Sequence, residues 1–262
     1  MKFQSPSSVG LFHDCPNAYR LHDIDRYEPL SIDDTALRMG RSVHAICENF
    51  YKDLDLNTLE PENHFAEHLK NVAFAYWDRS IDAKKREEME AALRGWVTVE
   101  MTRFIKYRAM GILERFKPIA VEEDLKSPLL GLHCIVDKRG VGADGSRYAW
   151  DYKTNSFLPP KKAFEGDMKA LKLNFKIQAA INAMVLKNVG TPIDKFYFQF
   201  IRFPDKLLEV PLTPALFKEA QTAIDAVLTA TEYPKNKKSC RFCNYKIYCE
   251  SEEKSIYCCN DP

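Results

Sequence analysis

Asp137, Asp151 and Lys153 lie in VDKRGVGADGSRYAWDYKT, two carboxylates and an ammonium that a short hairpin brings together. Residues two apart on a strand share a face, so Asp151 and Lys153 point the same way. Residues 132–138 are apolar enough for one strand, residues 147–154 read as its returning partner, and Gly140, Gly142, Asp144 and Gly145 supply turn residues between them. Asp137 then sits beside Asp151 across the pair. Two ionised carboxylates held that close repel unless a cation joins them, and their hard oxygens suit Mg2+ or Mn2+. Lys153 cannot ligate while protonated, but it can position or help deprotonate a water and steady charge developing on a phosphate. That is the chemistry of a metal-dependent phosphodiesterase. A lone Asp-x-Lys is more often an ordinary charged hairpin, so the rest of the chain has to decide.

The 262 residues, 45% hydrophobic and 29% charged, describe an ordinary chain able to bury a sizeable core, expected as one domain with an inserted or appended lobe. A formal charge of only +1 gives no global signature for nucleic acid, so any DNA-binding surface has to be local. The N-terminus lacks the apolar core of a signal peptide and no apolar run is long enough to cross a bilayer, which predicts a cytoplasmic protein without membrane contact.

Eight cysteines in a reducing compartment read as ligands or buried thiols. Cys240, Cys243 and Cys249, in CRFCNYKIYC, are spaced so that three thiolates can face one centre. The fourth ligand is Cys258, Cys259 or, from the other end of the chain, Cys15, and the centre is either zinc in a thiolate cage or an iron-sulfur cluster. Cys47 and Cys134 sit among apolar neighbours as buried thiols. Lys235, Lys237, Lys238, Arg241 and Lys246 interleave with Phe242, Tyr245 and Tyr248 around the triplet. Those rings either stack single-stranded DNA or pack around the cysteines.

The supporting elements follow from periodicity. Residues 54–116 are helical throughout, a lobe able to cover the cleft; 163–188 give helices, KFYFQFIRF alternates like a strand, and 213–229 give another helix. His44 lies at the border of a stripe of Val43, Cys47 and Phe50, beside Glu48, with Gly40 before it allowing close approach. Gln178 is a polar residue on an inward face, opposite a stripe of Lys169, Lys172 and Lys176. Glu122 and Glu123 open the strand before the hairpin and read as surface charge, with a supporting acid as the other reading.

Together these segments resemble the PD-(D/E)xK nucleases of RecB type, and within them the iron-sulfur exonucleases related to the CRISPR-associated Cas-four proteins and the AddB nuclease domain. SPSSVGLFHDCPNAYRL looks like the family's opening helix with its Cys-Pro, and GRSVHAICENF like the helix carrying its histidine. IVDKRG with WDYKT looks like the paired acidic motifs, QAAINAMVL like the glutamine motif, and CRFCNYKIYC like the closing cysteines. The resemblance implies an α/β fold, a restriction-endonuclease-like mixed sheet flanked by helices, with the helical lobe inserted and an iron-sulfur region at the end. Residues 1–262 form one nuclease domain on this reading: N-terminal helices over 1–53, lobe over 54–116, catalytic core over 117–230 and cysteine tail over 231–262.

It further implies that His44, Asp137, Asp151 and the carbonyl of Tyr152 hold the divalent ion, that Lys153 acts on the attacking water, and that Gln178 orients Lys153 or the phosphate. Cys15, Cys240, Cys243 and Cys249 hold a structural [4Fe-4S] cluster. Three positions depart from the pattern: Asp151 stands where Glu is commoner, Asn182 where Tyr is frequent, and Cys134 where Gly often precedes the first acid. The implied activity is Mg2+- or Mn2+-dependent hydrolysis of single-stranded DNA from an end, 5′ to 3′, in CRISPR adaptation or in DNA repair and recombination beside the proteins of those processes. The alternatives are a structure-specific endonuclease with the same centre and a non-catalytic, metal-knotted DNA-binding protein.

Overall fold

Runs of aromatic and β-branched residues separated by turns build the centre of the molecule, whose computed structural model describes residues 3–30 and 34–258, except for the side chains of residues 241, 242 and 253–258. Strands β1 (Ala120–Ser127), β2 (Leu132–Val141), β3 (Arg147–Lys153), β4 (Lys195–Phe200) and β5 (Leu207–Val210) stand in that order in one sheet. The sheet is mixed. β1, β2 and β3 run antiparallel, β3 and β4 are parallel, and β5 returns antiparallel to β4. The parallel pair needs a crossover, and the chain between β3 and β4 supplies helices for it.

Those helices fall into two groups in space. Along the chain they are α1 (Pro6–Asp14), α2 (Pro16–Tyr19), α3 (Thr35–Phe50), α4 (Pro61–Tyr76), α5 (Ala83–Ala109), α6 (Lys161–Phe164), α7 (Leu173–Asn188), α8 (Pro214–Leu228) and α9 (Lys246–Cys258). Ser5 and Thr213 cap α1 and α8 through hydroxyls that accept from the N–H three residues on, each followed by proline at the first helical position. α7 lays Ile177, Ile181 and Val185 against Ala149, Phe196 and Phe198 of the sheet. On the other face α3, α4 and α5 gather Phe50, Phe65, Trp96 and Phe104 over Tyr148, Trp150 and Tyr152. β3 therefore alternates as the sequence predicts, rings toward the lobe and Ala149 toward α7.

β2 does not alternate throughout. Cys134 and Val136 pack on the α7 side, yet Lys138 points into the lobe. The break lies at one row. Val121 pairs with Lys138 and Glu123 with Val136, so Glu122 faces Asp137 between them, and Glu122 holds a left-handed φ of 47°. Such a backbone costs a non-glycine residue roughly 1–2 kcal/mol. Because Lys138 pairs with Trp150, Asp137 also faces Asp151.

Lys138 and Glu100 are both fully buried between sheet and lobe. The Lys138 ammonium donates to Tyr51 Oη at 2.9 Å and to Glu100 Oε1 at 3.3 Å, and sits 3.6 Å from the centre of the Trp150 ring. Arg103 donates to Glu100 Oε2 through Nε at 2.9 Å and Nη2 at 2.6 Å. Burial pulls Lys138 down to about 7 against the opposing pull of Glu100. Burial alone would raise Glu100, but Arg103 and Lys138 outweigh it and hold that carboxyl at about 2.

Two expectations change at the helices. α7 begins at Leu173, so Lys169 precedes the helix, Lys172 is its N-cap, and Lys176 is paired with Glu219 at 2.5 Å; there is no helical lysine stripe. A Cβ at Gly40 would meet Thr154 Oγ1 at 3.6 Å, an ordinary contact, so close approach does not require glycine there. Among the described residues no helix is long and apolar enough to cross a membrane.

Candidate active site

The acid row places three carboxylates on neighbouring strands: Glu122 on β1, Asp137 on β2 and Asp151 on β3. α3 crosses the row and brings His44 Nδ1 to 3.1 Å from Glu122 Oε1 and 3.4 Å from Asp137 Oδ2. Ligand atoms of His44, Glu122 and Asp137 lie within 4.8 Å of one another, a grouping able to hold a metal ion. Asp137 and Asp151 are 5% and 4% exposed, so neither charge is solvated away. The Tyr152 N–H donates to Asp137 Oδ2 at 2.6 Å and fixes that carboxylate's orientation.

Asp151 belongs to an adjoining set. Lys153 Nζ stands 2.6 Å from Asp151 Oδ1 and donates to Gln178 Oε1 at 2.7 Å, while Gln178 Nε2 donates to Asp151 Oδ2. The Lys153–Asp151 approach is an ion contact and not an aligned hydrogen bond, which leaves Asp151 Oδ1 buried and accepting none. A cavity of 710 Å3 opens over both sets, lined by His44, Glu122, Asp137, Asp151, Lys153 and Gln178 among others. A second buried carboxylate beside a His-Glu-Asp cluster suits a hard divalent cation.

The electrostatics agree with that fit. Burial would lower His44, but the Asp137 and Glu122 carboxylates overcome it and hold the imidazole well above its usual range. Burial and the charge of Asp151 push Asp137 up to about 6, against His44. Protons held by this group compete with a cation, so binding weakens as pH falls, first through the raised range of His44 and then through about 6 at Asp137. Calorimetric titration with Mn2+ will show that loss, and Glu122→Gln will weaken binding at neutral pH by at least about tenfold. Equal affinity in that variant removes Glu122 from the ligand set. Sequence patterning favoured surface charge for Glu122 over a supporting acid; its pointer is the left-handed backbone, which no residue type announced.

Asn182, one turn beyond Gln178, is buried with both amide atoms unpartnered and does not touch the acids through a hydrogen bond. Cys47 and Cys134 are buried thiols, raised by that burial.

The cysteines meet at the other end of the α1–α2 corner. Cys15 sits at that corner, and Cys15, Cys240, Cys243 and Cys249 all line one cavity of 260 Å3. The Asn236 N–H and the Asn17 amide donate to Cys15 Sγ and Cys249 Sγ, each at 3.4 Å. Asn236 Nδ2 and Ser239 Oγ donate to the Asp14 carbonyl at 2.8 Å, strapping the tail to the first helix. Tyr245 is buried here and hydrogen-bonded to His22, and Tyr248 packs on Tyr27, so these two rings clothe the cysteine site. Cys259 and the side chains of Cys258, Arg241 and Phe242 lie outside the described residues.

An acidic row with a lysine on the same strand face, in a mixed sheet clasped by helices, is the layout of a nuclease. A family model of the PD-(D/E)XK nuclease superfamily matches residues 4–250, and the chain belongs to that superfamily. Its members are hydrolases of nucleic acid that use divalent metals. Among solved structures the chain is similar to a candidate exonuclease from Eubacterium rectale, 12% identical over 94% of this chain and 88% of that one, with a TM-score of 0.49. It is also similar to the protein SSO0001, 14% identical over 64% of this chain and 79% of that one, with a TM-score of 0.28. No curated protein matches the chain.

Proposed function

We propose that this protein is a Mg2+- or Mn2+-dependent exonuclease of RecB type, acting on single-stranded DNA from an end, 5′ to 3′, and related to the Cas-four and AddB nucleases. The observation that carries the reading is the row Glu122, Asp137 and Asp151 with His44 above it and Lys153 beside it. His44, Asp137 and Asp151, with Glu122 added by its position, hold the divalent ion, and the Tyr152 carbonyl is the further ligand implied by the motif. When bound, the ion neutralises phosphate charge and makes a water acidic enough to attack. Lys153 orients that water and faces the phosphate oxygens; Gln178 keeps Lys153 against Asp151. A cytoplasmic place in DNA repair or CRISPR adaptation, beside proteins of those processes, follows from the same resemblance. The test is Mn2+-dependent release of nucleotides from an end-labelled single strand by anaerobically purified protein. A circular single strand stays intact on this reading, and its cleavage makes the protein an endonuclease.

The four cysteines hold a [4Fe-4S] cluster that fastens the tail to the α1–α2 corner. Their cavity and the N–H groups aimed at two sulfurs support a thiolate-bound group there. Wild-type protein purified without oxygen is expected to be brown and to contain iron, and Cys15→Ser to lose both. A colourless, zinc-loaded wild type overturns the cluster, and colour lost only on changing Cys258 or Cys259 reassigns the fourth ligand.

A further inference from the structure

The lobe holds a second cavity that the hydrolytic centre does not use. It lies between α4 and α5, has a volume of 540 Å3, and is floored by Leu69, Ala73 and Leu93. Its size falls in the range of about 300–1,000 Å3 typical of ligand sites. Phe74 stands at its edge, 73% exposed, with the Arg79 guanidinium 5.0 Å from its ring centre. Lys70, Arg79, Arg86 and Arg94 line it against one acid, Glu90. Lys70 is paired with Glu67 at 3.6 Å, which leaves three arginines against Glu90, a local excess in a chain whose formal charge is only +1.

Two of the residues that line the cavity, Trp77 and Arg86, each carry a buried side-chain N–H with no hydrogen-bond partner. The guanidinium groups of Arg79, Arg86 and Arg94 around one space call for a ligand rich in acceptor oxygens. The exposed ring calls for a flat face to stack on. A nucleotide unit of a single strand offers both, a phosphate for the arginines and a base for Phe74. An acidic peptide offers the oxygens without the face.

The pocket is tied to the catalytic side of the molecule. The Asp78 N–H, one residue past Trp77, donates to Ser42 Oγ at 3.1 Å, and Arg38 pairs with Asp78 at 3.5 Å. Arg38 and Ser42 lie on α3, the helix that carries His44. A groove of 520 Å3 along α3, lined by Gly40, Arg41 and Glu48, shares His44 and Glu122 with the cavity over the acids.

We infer that the α4–α5 pocket is a separate binding site for single-stranded nucleic acid, holding one base on Phe74 and its phosphate on Arg79, Arg86 and Arg94. The inference rests on the reading of the protein as a nuclease of single strands and adds a contact away from the reacting bond. The probe is an oligothymidylate of about 20 nucleotides, its binding followed by fluorescence anisotropy in an Asp151→Ala background. Adding Phe74→Ala is expected to weaken binding by about five- to hundredfold. Adding Arg94→Ala is expected to lower the slope of log affinity against log salt by about 0.7. In otherwise wild-type enzyme the same changes raise KM for the long strand and leave kcat unaltered. Phe74, Arg79 and Arg94 are exposed, so unchanged thermal midpoints show that folding is intact. Unchanged affinity and slope overturn the site, as does polyglutamate competing as well as the oligonucleotide. Loss of binding in these variants of a wild type that hydrolyses no DNA refutes the catalytic reading and leaves the pocket standing.

Discussion

On the proposed function, Asp151→Ala is expected to abolish Mn2+-dependent hydrolysis of single-stranded DNA, and Lys153→Ala to lower it by about 10²- to 10⁴-fold. The two effects differ because the side chains do different things. Asp151 sets a second buried carboxylate beside Asp137 and holds its Oδ1 against the Lys153 ammonium. Lys153 is held between Asp151 and Gln178, where its charge is fixed in direction before any substrate arrives. Gln178→Ala keeps both charged groups and loses only their alignment, so its loss is smaller, about tenfold or more. Neither Asp151→Ala nor Lys153→Ala should unfold the protein. Removing Asp151 relieves the repulsion that helps push Asp137 up to about 6. The measurement is the initial rate of nucleotide release at saturating Mn2+, with melting curves beside it; equal rates in wild type and both variants would falsify the assigned centre.

Glu100→Ala destabilises the protein by about 3–5 kcal/mol, whereas Lys138→Met costs far less. Glu100 has no exposure and answers two cations, the buried Lys138 and the partly buried Arg103. Its removal leaves both without a counter-ion. Lys138→Met removes one cation, keeps the Glu100–Arg103 pair, and puts an apolar chain of similar length against Trp150 and Tyr51. The pH dependence has its own sign. A lysine whose folded value is depressed to about 7 binds its proton less tightly than in the unfolded chain, so stability contributed by this site rises as pH climbs from about 7 toward 10.5. Urea titrations of the three proteins check the ranking, and a Lys138→Met variant as damaged as Glu100→Ala would contradict it.

How much of this could be read from residues alone depends on whether local pattern or tertiary contact fixes each feature. Asp151 and Lys153 were legible because a strand alternates, and β3 does. Asp137 was placed correctly beside Asp151, although β2 changes face between Val136 and Lys138. Glu122 reads from sequence as surface charge first and as a supporting acid second, and the second reading is nearer, since its place in the row depends on a left-handed backbone that no residue type at that position signals. The lysine stripe failed for the opposite reason: it assumed helix before Leu173, where the chain is still turning. Spacing grouped three cysteines and could not choose the fourth. Cys15 joins them only because the tail folds back across α1. The α4–α5 pocket was invisible, since Phe74 and Arg94 belong to two helices whose charged runs look ordinary one at a time.

The strap between the Cys15 corner and the tail has a kinetic consequence. Its hydrogen bond from Asn236 to Cys15 spans 221 positions along the chain. At ribosomal speeds of about 5–20 residues per second, the corner emerges roughly 10 to 45 s before the segment that clasps it. For most of that interval the apolar side of α1 waits for α7 and then α8, and for all of it the Cys15 thiol waits for the tail. The nascent chain is thus open to oxidation and mispairing at its front until its rear arrives.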